Sequence, residues 1–505
     1  MGPMSFDGRI TRRQFLSQAG GAAAFAALDG CRPGSRSPSP RRSKPNLVIV
    51  YPDQMRGQAL GFMGQEPVLT PVLDRFAGES AAFTEAIAAY PLCSPSRAML
   101  LSMKYPHRNG VLGNCNSDSA PYGYELRTQE VCWSDILRAS GYSLGYIGKW
   151  HLDSPRRPYV KTSNNTDEMA WNEWTPPERR HGFDFWYAYG TYDRHLRPFY
   201  WTAEASRDEG RYVDEWGPIH EAGMAARFVR NEGGRYRDPE KPFALVVAMN
   251  PPHMPYDQVP GEYLELYRET PLDSLVRRPN IPAAGTRWGD YYRAHIRGYY
   301  AMISGVDAQF GRILAALDQA GLRDDTIVVF LSDHGNCLGI HDEISKNNPY
   351  EESVRVPLLV RWPGVVRARR EDLLISVPDI GPTLLELMGL GASVPKDVEG
   401  RSLADLVRGG RGSLPSSQLY LWTPNGAPGY GRRGVRTRTH TFVMSRMPDA
   451  PPEAMLFDNV RDPYQLKDLS REDPRTAERL TRDELIPWLE RTGDPWLENL
   501  APKQG

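Results

Sequence analysis

Four short apolar runs punctuate the first two thirds of the chain, and each gives way to a polar cluster. The first, Leu47-Val48-Ile49-Val50-Tyr51, is apolar without alternation, which predicts a strand buried on both faces of a parallel sheet. Asp53 and Gln54 stand just beyond it. Tyr142 to Ile147 leads into Gly148-Lys149-Trp150-His151, Phe243 to Met249 into Asn250-Pro251-Pro252-His253, and Thr326 to Leu331 into Ser332-Asp333-His334-Gly335. Ligands of open α/β sheets bind outside the carboxyl ends of the strands, so the four clusters point to one shared site.

Helical spacing fills the intervals, as crossover connections between parallel strands require. Met302, Ile303, Val306, Phe310, Ile313, Leu314 and Leu317 form one apolar stripe with Gly321 as its stop, and Asp379 to Met388 forms another, closed by Gly389. The fold class is therefore α/β, a central mostly parallel sheet flanked by helices. Gly400 to Pro415 reads as a linker. Beyond it, apolar runs at Leu419 to Trp422 and Thr441 to Met444 and a charged helix near Arg475 to Glu490 give a smaller C-terminal α+β subdomain over 415–505.

The amino terminus stands apart from this pattern. Thr11-Arg12-Arg13-Gln14-Phe15-Leu16 is a twin-arginine motif, and the Ala/Gly-rich run from Ala19 to Leu28 is too short for a permanent membrane span. Leu28-Asp29-Gly30-Cys31 resembles a bacterial lipobox, with Cys31 as the residue to be lipidated. Residues 1–31 are thus expected to be a signal read by the twin-arginine export machinery, and 32–45, rich in Pro, Ser and Arg, a flexible linker. The expected destination is the periplasm or the cell envelope, with a lipid on Cys31 as the one membrane contact. Cys115 and Cys132 either pair in that oxidising compartment or remain buried thiols. The 61 Lys and Arg against 62 Asp and Glu leave no basic excess for nucleic acid.

The candidate chemistry centres on Pro91-Leu92-Cys93-Ser94-Pro95-Ser96-Arg97, which opens an apolar helical run. Free backbone N–H groups at a helix start, with Arg97 one turn in, make an anion site around the nucleophilic Cys93. Asp53, Gln54, Asp333 and His334 supply two carboxylates, an amide oxygen and an imidazole. That set suits Ca²⁺, Mg²⁺ or Mn²⁺ rather than a sulfur-rich zinc site. They converge only if the sheet brings the strand ends together.

Cys93-Ser94-Pro95-Ser96-Arg97 resembles the C-x-P-x-R signal with which the sulfatase family, in the alkaline phosphatase superfamily, has its cysteine oxidised to formylglycine. Asn46 to Gly61 is similar to the family's opening strand and metal pair in its Asp-Gln form. The Lys149 and His151 cluster, the His253 loop, Asp333-His334-Gly335, and Lys346 ahead of Tyr350-Glu351 follow in order. Leu456-Phe457-Asp458 with Asp462-Pro463 and Leu469 resembles the C-terminal signature, so the similarity runs from Asn46 to the carboxyl end. One stretch departs: where the family commonly continues L-T-G-R, this chain has Leu101-Ser102-Met103-Lys104.

The resemblance implies an alkaline-phosphatase-like fold with a catalytic domain over 46–400. It implies hydrolysis of a sulfate ester on a carbohydrate or small organic molecule, after a maturation enzyme has made formylglycine from Cys93. One divalent cation, Ca²⁺ ahead of Mg²⁺ or Mn²⁺, would rest on Asp53, Gln54, Asp333, His334 and the side chain derived from Cys93. Arg97, Lys149 and Lys346 would offset the sulfate charge and hold that side chain. His151 would take the proton that regenerates the aldehyde, and His253 with Lys346 would protonate the departing alcohol. Two other readings compete: a phosphonate monoester or phosphodiester hydrolase with the same formylglycine site, and a non-catalytic lipoprotein that binds sulfated glycans, favoured by the departure at Ser102-Met103-Lys104. The aromatic stretch from Trp171 to Trp216 offers rings for stacking on sugars, although most are expected to pack an irregular insertion.

Overall fold

A computed structural model describes residues 44–500. The signal, Cys31 and most of the linker lie outside the described residues. Among the described residues, ten strands form one sheet in the order Arg369–Glu371, Ala81–Phe83, Leu358–Arg361, Thr326–Leu331, Asn46–Val50, Phe243–Ala248, Ser143–Lys149, Phe185–Tyr189, Phe199–Thr202 and Arg211–Tyr212. The five from Thr326–Leu331 to Phe185–Tyr189 are parallel. The four strands expected to deliver the site are thus neighbours, and their carboxyl ends lie side by side.

Both faces of this sheet are covered, which is why its strands read as unbroken apolar runs. Leu47 lies between Ala244 and Ile327 in register. Leu47 and Ile49 pack with Val246 and Val329 against Ala98, Met99, Ile380 and Leu384 on one face. Val48 and Val50 pack with Leu245, Val247 and Phe330 against Phe228, Val306, Phe310 and Ile313 on the other. Each fully buried Val, Ile or Leu contributes about 1.5–3 kcal/mol. The helix Arg287–Gln319 begins at Thr286, whose hydroxyl accepts the Gly289 N–H at 3.1 Å. It is far longer than the stripe from Met302, because Tyr292, Tyr299 and Tyr300 carry the buried face through a half of mixed polarity.

The second helix of the sequence reading starts two residues early, at Val377–Leu387. Ser376 is its N-cap and Asp379 closes a capping box from the third position. The expected linker from Gly400 to Pro415 contains a short helix, Ala404–Arg408, because Ala404 and Val407 are buried against the core. A separate antiparallel sheet, Ser417–Trp422, Gly431–Thr437, His440–Met447 and Ala450–Asp458, forms the C-terminal subdomain. The charged helix beside it runs in two pieces, Pro474–Leu480 and Ile486–Thr492, separated by a π turn. Cys115 and Cys132 are buried free thiols. Among the described residues, no helix is long and apolar enough to cross a membrane.

Candidate active site

Cys93 opens the helix Cys93–Ser102, with Leu92 in extended conformation as its N-cap. Two serines of the pentapeptide tie that helix start to the strand ends. Ser94 Oγ donates to the His151 carbonyl at 2.7 Å and Ser96 Oγ to the Asp333 carbonyl at 2.6 Å, while the Ser94 N–H donates to Asn114 Oδ1 at 3.1 Å. Cys93 Sγ consequently sits 3.2 Å from His334 Nε2, 3.8 Å from Asp53 Oδ1 and 3.9 Å from Lys149 Nζ. Burial and Asp53 push its thiol up, and Lys149, Lys346 and His334 more than reverse this, so the thiol lies well below its ordinary value.

The donor atoms of Asp53, Cys93, Asp333 and His334 all lie within 4.8 Å of one another. Gln54, at φ +67°, lends its backbone N–H to Asp333 Oδ1 at 3.1 Å. Its side-chain NH₂ is held by Ser345 Oγ at 2.9 Å and Tyr256 OH at 3.3 Å, which turns Oε1 toward Lys346 Nζ, 2.9 Å away. Arg97 spends its donors on the cradle itself: Asp53 Oδ2 and Asp333 Oδ2, each at 3.0 Å, and the Lys149 carbonyl at 2.7 Å. It therefore acts through the carboxylates rather than on open space. Lys149 Nζ reaches Asp53 Oδ2 at 2.7 Å. Gly148 has φ +98°, and a side chain there would run into the Ala248 carbonyl of the neighbouring strand.

Burying these charges, each at most 2 % exposed, costs several kcal/mol per ion, so they hold only as a mutually compensating set on the rigid sheet. Burial would raise the Asp53 carboxyl, yet Lys149, His253, His334 and Arg97 bring it well below the usual range. Burial and the neighbouring Asp53 lift Asp333 to about 6. Two carboxylates pressed together beside an imidazole form a site that a hard divalent cation would relieve, so the residues present fit such an ion.

Beside the cradle stand Lys346, which reaches Gln54, and His253, whose Nε2 lies 2.9 Å from Lys346 Nζ. Burial and the Lys346 charge oppose protonation of His253, but the Asp193 carboxylate carries the imidazole up to about 9. At this separation the two nitrogens are hydrogen-bonded to each other. His151, at φ +55°, is buried with neither ring nitrogen hydrogen-bonded among the described residues. Burial, with the charges of Lys149 and Arg97, holds it below its ordinary value against the opposing pull of the Cys93 side chain, so it is neutral and free to accept a proton at neutral pH.

The structure thus brings together all ten residues singled out from the sequence. The sequence reading passed over Ser94, Ser96, Asn114, Asn250, Asp193, His195 and Tyr256. Asn250 donates to Tyr192 O and Asp193 Oδ1 and accepts from Lys149 Nζ at 3.1 Å. Its place at the head of the His253 loop was a usable signal; Asp193 and His195 sit in the aromatic insertion, which has no periodicity. Of the insertion's rings, Trp186, Tyr189, Tyr192, Phe199, Tyr200, Trp201 and Trp216 are buried. Trp171 is half-buried, 6.3 Å from the His151 ring.

Comparison with known proteins identifies the family. The sulfatase family profile matches residues 45–390, and a profile for the C-terminal part of N-sulphoglucosamine sulphohydrolase matches 339–485. An endo-4-O-sulfatase of Bacteroides thetaiotaomicron is 39 % identical over 94 % of this chain and 97 % of its own length. A ulvan-active sulfatase of Formosa agariphila is 34 % identical over 85 % of this chain and 77 % of its own. The crystal structure of a Bacteroides fragilis protein assigned to the sulfatases superposes with a TM-score of 0.89 at 44 % identity, covering 92 % of this chain and 100 % of that one. A phosphonate monoester hydrolase of Agrobacterium radiobacter shares the fold at 22 % identity and a TM-score of 0.65, over 89 % and 96 % of the two chains. With the profile spanning more than half of the sequence and two relatives above 30 % identity along most of its length, the chain belongs to the sulfatase family and is a sulfuric ester hydrolase.

Proposed function

We propose that the protein removes sulfate from a sulfated poly- or oligosaccharide, using formylglycine made from Cys93 and one divalent cation, calcium by its oxygen-rich ligands. The observation that carries this is the convergence of Cys93, Asp53, Lys149, Asp333 and His334 in one buried cradle. A formylglycine at position 93 supplies a hydrated aldehyde as the nucleophile, and the cation supplies a Lewis acid. The chain's own residues do the rest. Sulfate oxygens repel an attacking anion, and the Lys149 ammonium, 3.9 Å from the position-93 side chain, offsets that charge in a buried site where fields are weakly screened. Arg97 fixes both carboxylates. The base is His151, whose ring is neutral with both nitrogens free of hydrogen bonds among the described residues, and whose carbonyl anchors Ser94 beside the nucleophile. The proton shared by His253 and Lys346 goes to the departing alcohol oxygen.

The glycan part of the reading draws on the relatives' substrates and on Trp171, whose half-buried ring stands beside His151 and outside the packed core. A panel of sulfated oligosaccharides, with the sulfate and phosphonate esters of one phenol, tests it. Turnover of sulfated sugars, with the phosphonate ester far slower, is expected; a preference for the phosphonate would overturn it. Chelation should abolish turnover, and calcium should restore it better than magnesium or manganese. Export by the twin-arginine route with a lipid on Cys31 belongs to the same proposal: Arg12→Lys with Arg13→Lys should retain the chain in the cytoplasm, and Cys31→Ser should free it from the envelope.

A further inference from the structure

The geometry points to Asp193 as the positioning residue that sets the ring of His253 and, through Asn250, the ammonium of Lys149. The inference rests on the reading of His253 as a donor to the leaving alcohol. His253 Nδ1 faces two acceptors, the Met254 carbonyl at 2.8 Å and Asp193 Oδ1 at 3.4 Å. Its proton therefore stays on Nδ1 whatever the charge of the ring, and Nε2, against Lys346, is the nitrogen that gains or loses the shared proton. His195 Nε2 reaches the carbonyls of His253 and Met254 at 2.9 and 3.2 Å, which steadies the backbone that offers the first acceptor.

The same carboxylate oxygen reaches the sulfate side. Asp193 Oδ1 accepts from Asn250 Nδ2 at 3.1 Å, and the Tyr192 carbonyl takes the same amide at 2.9 Å. Asn250 Oδ1 is thereby turned to Lys149 Nζ. Asp193 Oδ2 accepts from Asn164 Nδ2 at 3.2 Å, which anchors the carboxylate from behind. One side chain thus joins the group that protonates the alcohol to the group that holds the reacting side chain. A carboxylate at this distance also favours the charged imidazole.

Asp193→Asn removes the charge while keeping one oxygen for these contacts. With the mature enzyme it should lower kcat/KM for a sugar sulfate about tenfold and leave nitrophenyl sulfate nearly unchanged, because only a basic leaving oxygen needs the proton. Asp193→Ala, which also releases Asn250, should slow both. In ¹⁵N-histidine spectra taken above about pH 9, where the ring is neutral, His253 should show an Nδ1–H ring in the wild type and a larger share of the Nε2–H tautomer in Asp193→Ala, where the Met254 carbonyl is the acceptor that remains at Nδ1. Equal activity of Asp193→Asn and wild type on the sugar sulfate, or an unchanged His253 signal in Asp193→Ala, would overturn the inference. His253→Ala separates the two readings: an equal loss on both substrates removes the leaving-group role of His253, and the spectra still decide whether Asp193 sets its ring.

Discussion

The two groups of side chains in the site differ in construction. The cradle of Asp53, Arg97, Lys149, Asp333 and His334 stands at the ends of adjacent parallel strands and on one helix, at most 2 % exposed. Asp193, His253 and Lys346 beside it, and Trp171 next to His151, are carried on loops, with side-chain exposures of 35 % for Asp193 and 12 % for His253. On the proposed function, sulfate is the same in every substrate and the rigid cradle would handle its charge. The alcohol varies, and on the same proposal it would meet the loop-borne group. Substitutions in the cradle should then hurt all substrates alike, while substitutions in the loops should discriminate among them.

The largest effect is expected from Cys93→Ala and Asp53→Asn, which should each reduce turnover of every sulfate ester by roughly 10³-fold or more. A thermal melt separates chemistry from folding, since Asp53→Asn leaves Lys149 and Arg97 short of a buried counter-charge. Unequal losses across substrates would break the comparison.

Next come His253→Ala and Lys346→Ala, expected to cost sugar sulfates about 10²-fold in kcat/KM and nitrophenyl sulfate far less. The pH profile carries the same signature. His253 is raised from 6.5 to about 9, so its protonated form supports the fold fully below 6.5, and that support is lost as pH rises through about 9. Turnover of sugar sulfates should fall over the same range, with Lys346, Lys149, Asp193 and His195 facing the ring; an activated aryl sulfate should fall less.

Trp171→Ala should raise KM for an oligosaccharide by about tenfold and leave a small aryl sulfate unaffected, as expected for a stacking face. The smallest effect concerns Met103, a non-glycine residue at φ +62°. Its buried side chain packs against Gly381, which has no room for a Cβ, and beside Trp133. Met103→Gly relieves about 1 kcal/mol of backbone strain and leaves a cavity worth about 2–3 kcal/mol, a net loss of about 1–2 kcal/mol in a denaturant titration. Activity should not change.

The cradle was legible in the sequence because each of its parts follows an apolar run that could only be a buried strand, and parallel strands put their ends together. Asp53 and Asp333 stand far apart in the sequence yet share Arg97. The C-terminal sheet was half legible: Gly431–Thr437 is rich in arginine, and buried Arg433 and Arg436 hide its burial behind charge. Asp193 was not legible at all. Its meaning lies in contacts with Asn164, Asn250 and His253, and nothing in the spelling of an irregular loop announces which residues it will meet.

The chemistry proposed for this cradle depends on conversion of Cys93 into the nucleophile. Mass spectrometry of the peptide containing Cys93, on enzyme produced with a maturation enzyme and assayed in parallel, tests it most directly. The expected result is the mass of formylglycine at position 93 and a turnover that rises in proportion to the converted fraction. Full turnover of a sulfate ester by protein carrying only unmodified Cys93 would contradict it.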